Sequence, residues 1–172
     1  MDSTEIIKEW EKVAESVGAK FKVPLQTMSL KMVLFYKLDI GKRTIQGFDL
    51  MGSSIKDPSF ILTKIETKLK FKPPNAIISK ASVFRKVLVL IFNYGQIIDS
   101  NYGKYWIKSN ANGLAKLNPD LKNELFKYPD IYLESKTKKS TVSISTTKLI
   151  KTEKELLNFI EINNKIIRLL TQ

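Results

Sequence analysis

From Tyr102 to Lys108 aromatic and cationic side chains interleave, as Tyr102, Lys104, Tyr105, Trp106 and Lys108. Aromatic rings stack on nucleobases at about 1 to 3 kcal/mol per base, and lysines beside them follow the phosphates, so the chemistry on offer is sequence-tolerant binding of nucleic acid. A second cationic row lies in ILTKIETKLKFK, Ile61 to Lys72, where Lys64, Lys68, Lys70 and Lys72 share one side of an extended chain. The candidate nucleic-acid-binding residues are therefore Lys64, Lys68, Lys70, Lys72, Lys104, Trp106 and Lys108. Alternation divides the aromatic segment, because Tyr105 and Ile107 face one way while Lys104, Trp106 and Lys108 face the other. A basic platform exists if the lysines of the earlier row share a sheet face with Trp106. The glycines and ordering of an RNP1 motif are missing.

Reactive chemistry has little to work with. The chain has no histidine and no cysteine, so a Ser-His-Asp triad, a thiol nucleophile and the usual zinc ligand sets cannot be built from it, and no disulfide can form. No phosphate-binding G-x-x-x-x-G-K-S/T is present; Gly41, Lys42, Arg43 and Thr44 lack the upstream glycine. Carboxylates can hold magnesium, but Asp39, Asp49, Asp57 and Asp99 are isolated, each in or beside a turn. No catalytic, cofactor-binding or metal-ligating residue is assigned, no cofactor is expected, and no small-molecule substrate is evident.

The net charge of +12 permits binding to nucleic acid or to an anionic surface. Only Arg43, Arg85 and Arg168 are arginine, and arginine is the residue whose two-pronged fork reads guanine and phosphate, so lysine dominance argues against sequence-specific readout. Coding bias that raises Lys, Ile and Asn together accounts for the charge equally well. The 172 residues fit a single domain, 1–172. The acidic, helix-like start does not resemble a secretory signal, and a cytoplasmic location is expected. The longest strictly apolar run, Val87 to Phe92, falls far short of the roughly 20 residues that span a bilayer.

The elements that must position these side chains follow from period and punctuation. Asp2 to Val17 reads as a helix with Ile6, Trp10, Val13, Ala14 and Val17 on one stripe, opened by an Asp2/Glu5 capping box and closed by Gly18. Trp10 is the anchor that pins this helix to a sheet. Strands are expected at Lys31–Leu38, apolar on both faces and so central, at Arg43–Leu50, where Gly47 weakens the strand or marks a bulge, and at Ile61–Lys72, stopped by Pro73 and Pro74. Met51 to Ser59 reads as a surface loop. A short strand, Ala76–Lys80, follows. Val83 to Phe92 fits either a buried strand or a helix side, and its β-branched content tips it to strand. Gly95 to Gly103 is turn-rich, and Lys104–Asn110 is a strand. A short helix lies within Leu117–Tyr128, capped by Asn118 and started by Pro119. Ile131–Ser135 and Thr141–Thr147 form a hairpin, with Ile131 and Leu133 facing Val142 and Ile144. The last helix opens on a Thr152/Glu155 capping box and buries Leu156, Phe159, Ile160, Asn163, Ile166, Ile167 and Leu170. A buried Asn163 must find a partner. The sum is an α+β domain, an antiparallel sheet packed by an N-terminal, a short middle and a C-terminal helix.

Trp10, Ala14 and Gly18 in the opening helix, Thr63 and Ile65 in the long strand, and Tyr105 to Ser109 leading to Leu117, Pro119, Leu121 and Leu125 resemble a diffuse group of uncharacterised prokaryotic α+β proteins. Where that group carries an acidic residue and a Phe before the late strand, this chain has Tyr102, Gly103, Lys104, Tyr105 and Trp106. The resemblance implies the same fold over most of the chain and no activity. The leading functional expectation is a non-enzymatic domain that binds a protein partner or copies of itself. A sequence-tolerant nucleic-acid binder using the lysine-rich sheet face comes second, and a magnesium-dependent enzyme third.

Overall fold

The computed structural model of the chain describes residues 3–23, 30–35, 42–47, 63–109 and 119–170. In chain order the elements are α1 (Ser3–Ser16), β1 (Lys20–Lys22), β2 (Leu30–Phe35), β3 (Lys42–Gly47), β4 (Thr63–Lys68), β5 (Ala76–Lys80), α2 (Val83–Phe92), β6 (Gln96–Ser100), β7 (Gly103–Ser109), α3 (Pro119–Phe126), β8 (Tyr132–Lys136), β9 (Thr141–Thr146) and α4 (Glu153–Leu170). Among the described residues nine strands form one sheet in the order β1-β2-β3-β4-β9-β8-β5-β7-β6, and the pairings are antiparallel. This is an α+β fold, with the sheet flanked by N- and C-terminal helices and a short middle helix.

Register explains the core. Ile45, Ile65, Ile144, Leu133, Ile78 and Ile107 are consecutive cross-strand partners, so one apolar row crosses six strands. All six are buried. Against this face pack Trp10 of α1, Phe126 of α3 and Phe159 of α4, with Tyr105 stacked on Phe126 at 3.8 Å between ring centroids. Burying each such side chain contributes roughly 1.5 to 3 kcal/mol. The α4 stripe from Leu156 to Leu170 is buried as its spacing predicts. Gly18 adopts φ +67°, the left-handed conformation that stops α1.

Several expectations change. The strand beginning in the 61–72 stretch ends at Lys68, not Lys72, because the Leu69 N–H donates to the Ser140 carbonyl at the hairpin turn, where β9 begins and the ladder runs out. Phe71 is thus 37% exposed, not buried. The strand expected at the sheet centre is β2, second from one edge; the centre is β9. Val83–Phe92 is helix α2, not a strand, and the turn-rich interval contains a strand, β6. In the late hairpin Leu133 does face Ile144, whereas Val142 faces Ser135 and Ile131 precedes the strand. Gly47 marks no bulge in the continuous β3 register; it clears room for an indole, since a Cβ there would lie 2.9 Å from Trp10 Cη2. Asp2, Asn118 and the 51–59 loop lie outside the described residues.

The α4 start is capped differently from the sequence pattern. Thr152 Oγ1 accepts the Glu155 N–H at 3.3 Å, but the Glu155 carboxylate turns to Lys148 Nζ at 2.6 Å. Glu9 of α1 supplies the missing acceptor, taking the Glu153 N–H at 3.0 Å while bonding Lys12 Nζ at 2.9 Å. The Glu153 N–H, then Lys12, hold the Glu9 carboxyl below its ordinary value of 4.5. A depressed carboxyl contributes stability that is present above the unfolded-state pKa and lost as pH falls through the folded value. The urea midpoint of Glu9→Gln should therefore lie below that of the unchanged chain at pH near 7, and the gap should close as pH falls below the ordinary carboxyl value and through the folded one. A gap independent of pH would contradict this role.

Candidate docking surface

One side of the sheet is covered by α1, α3 and α4, and the other carries the lysines. Because Ile65 and Ile107 belong to the same buried row, the residues alternating with them, Lys64, Glu66 and Lys68 on β4 and Lys104, Trp106 and Lys108 on β7, share the opposite, outer face. Lys42, Lys68, Thr141 and Lys136 lie in one row across four strands. Lys64 bonds Glu66 at 2.8 Å, and Lys136 bonds Glu134 at 2.8 Å. The Glu134 hydrogen bond holds the Lys136 ammonium above its ordinary value. Lys104 pairs with Asp99 at 3.4 Å. Lys70 and Lys72 are exposed but follow the end of β4, so they are not part of this face.

Trp106 is on the face yet not at the surface, being 4% exposed. Its Nε1–H donates to the Tyr94 carbonyl at 3.0 Å, the Tyr94 ring lies beside it at 6.0 Å and 22°, and the Arg85 guanidinium sits 5.1 Å from its ring. Gly95, at φ +83°, lets the chain pass so close that a Cβ there would come within 2.7 Å of Trp106 Nε1. Lys108 Nζ lies 3.4 Å from the Tyr94 centroid. The aromatic stack inferred from the sequence is thus already filled from within the chain, and Tyr94, 43% exposed, and Tyr102, 53% exposed, are the tyrosine rings of this region that remain accessible.

What covers Trp106 comes from both ends of α2, where the sequence predicts a strand: Arg85 in its first turn and Tyr94 just past its last. Ser82 caps it, its Oγ accepting the Arg85 N–H at 3.3 Å, and Asn93, left-handed at φ 49°, ends it. Arg85, Leu88 and Val89 are half-buried and mark the side resting on the sheet, where Arg85 Nη1 donates to Ser79 Oγ and to the Lys80 carbonyl. At about 100° per residue, Leu90, Val83, Val87, Ile91 and Phe84 then form an unbroken arc on the opposite side. They are exposed to 84%, 78%, 40%, 68% and 70%. An ordinary surface helix turns its apolar stripe inward; α2 turns an arginine inward and its apolar stripe out.

Elsewhere the surface is less distinctive. A groove of about 730 Å³ between α3 and α4, lined by Asp120, Asn123, Glu124, Lys165 and Arg168, is spanned by the Lys165–Glu124 ion pair at 3.0 Å. Among the described residues no three acidic side chains lie close enough to hold a metal ion, and no helix is long and apolar enough to cross a membrane. The architecture and the outward-turned helix define a class only at the level of an antiparallel α+β fold. No protein-family model matches the chain, and neither a curated protein nor a solved structure matches it.

Proposed function

We propose that this chain is a non-enzymatic interaction domain and that α2 is its docking element. The observation that carries the proposal is the solvent-facing arc Phe84, Val87, Leu90 and Ile91, together with Val83. Contiguous apolar patches of several hundred Å² on a folded chain mark interaction sites. A protein partner or a second copy of the chain, as the sequence suggests, or any other surface offering apolar atoms, would cover the arc. Leu90→Glu combined with Ile91→Glu replaces two largely exposed side chains, so the melting temperature should stay within about 2 °C, while binding of the neutral dye Nile red should fall several-fold. A large drop in stability would mean that the helix is instead packed inside the fold, ending the proposal.

A second reading, nucleic-acid binding on the lysine face, is favoured by Lys68, Lys104 and Lys108 sharing that face and disfavoured by the burial of Trp106. It predicts affinity for single strands that falls linearly in log–log form with salt, by a slope of about −0.7 per phosphate neutralised. Absence of binding at low salt would dispose of it.

A further inference from the structure

The geometry points to an anionic lipid surface as the occupant of the outer face, with α2 lying in the headgroup region and the sheet lysines facing the phosphates; this rests on α2 being a docking element. Charge is not spread evenly over the molecule. The three helices on the core side carry four, two and three carboxylates against two, one and three cations, a net charge of −3, in a chain whose total is +12. On the outer face Lys42, Lys64, Lys68, Lys104, Lys108 and Lys136 outnumber Glu66, Glu134 and Asp99. The residues of α2 itself include Arg85 and Lys86 and no acid.

The apolar arc, like these lysines, is on the outer side of the sheet. A helix is about 10 Å thick, and interfacial helices sink about 5 to 10 Å into the boundary between headgroups and acyl chains. Immersing the arc of α2 to that depth brings the lysine side chains of the neighbouring strands to the level of the phosphates. Phe84 in the arc and Tyr94 just beyond the helix have the aromatic character that favours this boundary. A second copy of the chain docked face to face would oppose lysine to lysine. Nucleic acid offers phosphates and base faces for an aromatic ring, but no aliphatic surface to cover Val83, Val87, Leu90 and Ile91. An anionic bilayer offers acyl chains to the arc and phosphates to the lysines nearest it, Lys104 and Lys108 on β7, so it satisfies the apolar and cationic parts together.

The test uses the full chain with large unilamellar vesicles of phosphatidylcholine, alone or with about 30% phosphatidylserine, in a co-sedimentation assay at low and high salt. Binding to the phosphatidylserine vesicles at least about ten-fold tighter than to phosphatidylcholine alone, weakened by salt, is expected. Leu90→Glu/Ile91→Glu should reduce it by about ten-fold or more, and Lys68→Glu/Lys136→Glu should reduce it and flatten its salt dependence. Circular dichroism checks that both variants fold. Equal binding to both vesicle types, or none, overturns the lipid assignment. So does a dimer, seen by sedimentation, that the α2 variant dissociates while vesicles are ignored, or an oligonucleotide affinity that the α2 variant leaves intact. In the dimer case α2 still docks and the interaction-domain proposal stands. If folded α2 variants retain Nile red, vesicle binding and oligomeric state alike, both proposals fall.

Discussion

Trp10→Ala is expected to lower the unfolding free energy by about 3 to 5 kcal/mol, which in a chain of this size moves the melting temperature down by about 10 °C. Trp10 is fully buried, and its Nε1–H donates to the Ile150 carbonyl at 2.9 Å, tying α1 to the segment that leads into α4. The ring lies against Gly47 so closely that an added Cβ would stand 2.9 Å from two of its carbons. Truncation therefore opens a cavity and leaves a buried carbonyl without its donor. Trp10→Phe keeps part of the volume and loses the hydrogen bond, so its cost should be smaller. Urea unfolding of both variants measures the difference, and an alanine variant within about 1 kcal/mol of the unchanged chain would show that the anchor role is wrong.

Arg43→Ala should cost a similar amount, about 3 to 5 kcal/mol, because it opens a cavity and leaves the Thr67 and Asn164 oxygens without their donor. Arg43 points from β3 into the core and is 0% exposed. Its Nε–H donates to Thr67 Oγ1 at 3.0 Å and its Nη2 to Asn164 Oδ1 at 2.7 Å, while the Thr67 hydroxyl donates to Asn163 Oδ1 at 3.0 Å. The Asn163 side-chain amide nitrogen finds no partner among the described residues. Such a partly satisfied network is sensitive to the loss of one member and tolerant of replacement as a whole. Arg43→Met, Thr67→Val and Asn163→Leu together should thus be much less costly than the three single changes added, a non-additivity of about 1 to 3 kcal/mol. Additive costs would mean that the three residues act separately.

The strand-to-lysine alternation was legible because a half-buried strand writes its two faces into every second residue, and residues 63–68 behave that way. Trp10 and the α4 stripe were legible because period and capping agree there. Strand β9, central in the sheet, reads no differently from its neighbours, since sheet order depends on partners far away in the chain. The α2 segment was misread because Val83, Val87, Val89 and Ile91 favour strands, whereas Ser82 and Asn93, the residues that cap the helix, were the decisive signals. A cap contributes about 1 kcal/mol, which offsets part of the few tenths that each of these four β-branched residues costs a helix. Trp106 was placed on the correct face but not under cover, because its cover is the Tyr94 and Arg85 brought by that helix.

The position of β9 has a consequence for how the chain is made. Between β4 and β5 no ladder forms; the two halves of the sheet are joined by β9 pairing with β4 on one side and with β8 on the other. A ribosome that has released only the first 140 residues has therefore made two β-ribbons with nothing between them, each with an unclosed edge. Closing the sheet must wait for β9 to emerge, and such distant pairing places the fold among the slower single-domain folders, on a timescale of about milliseconds to seconds.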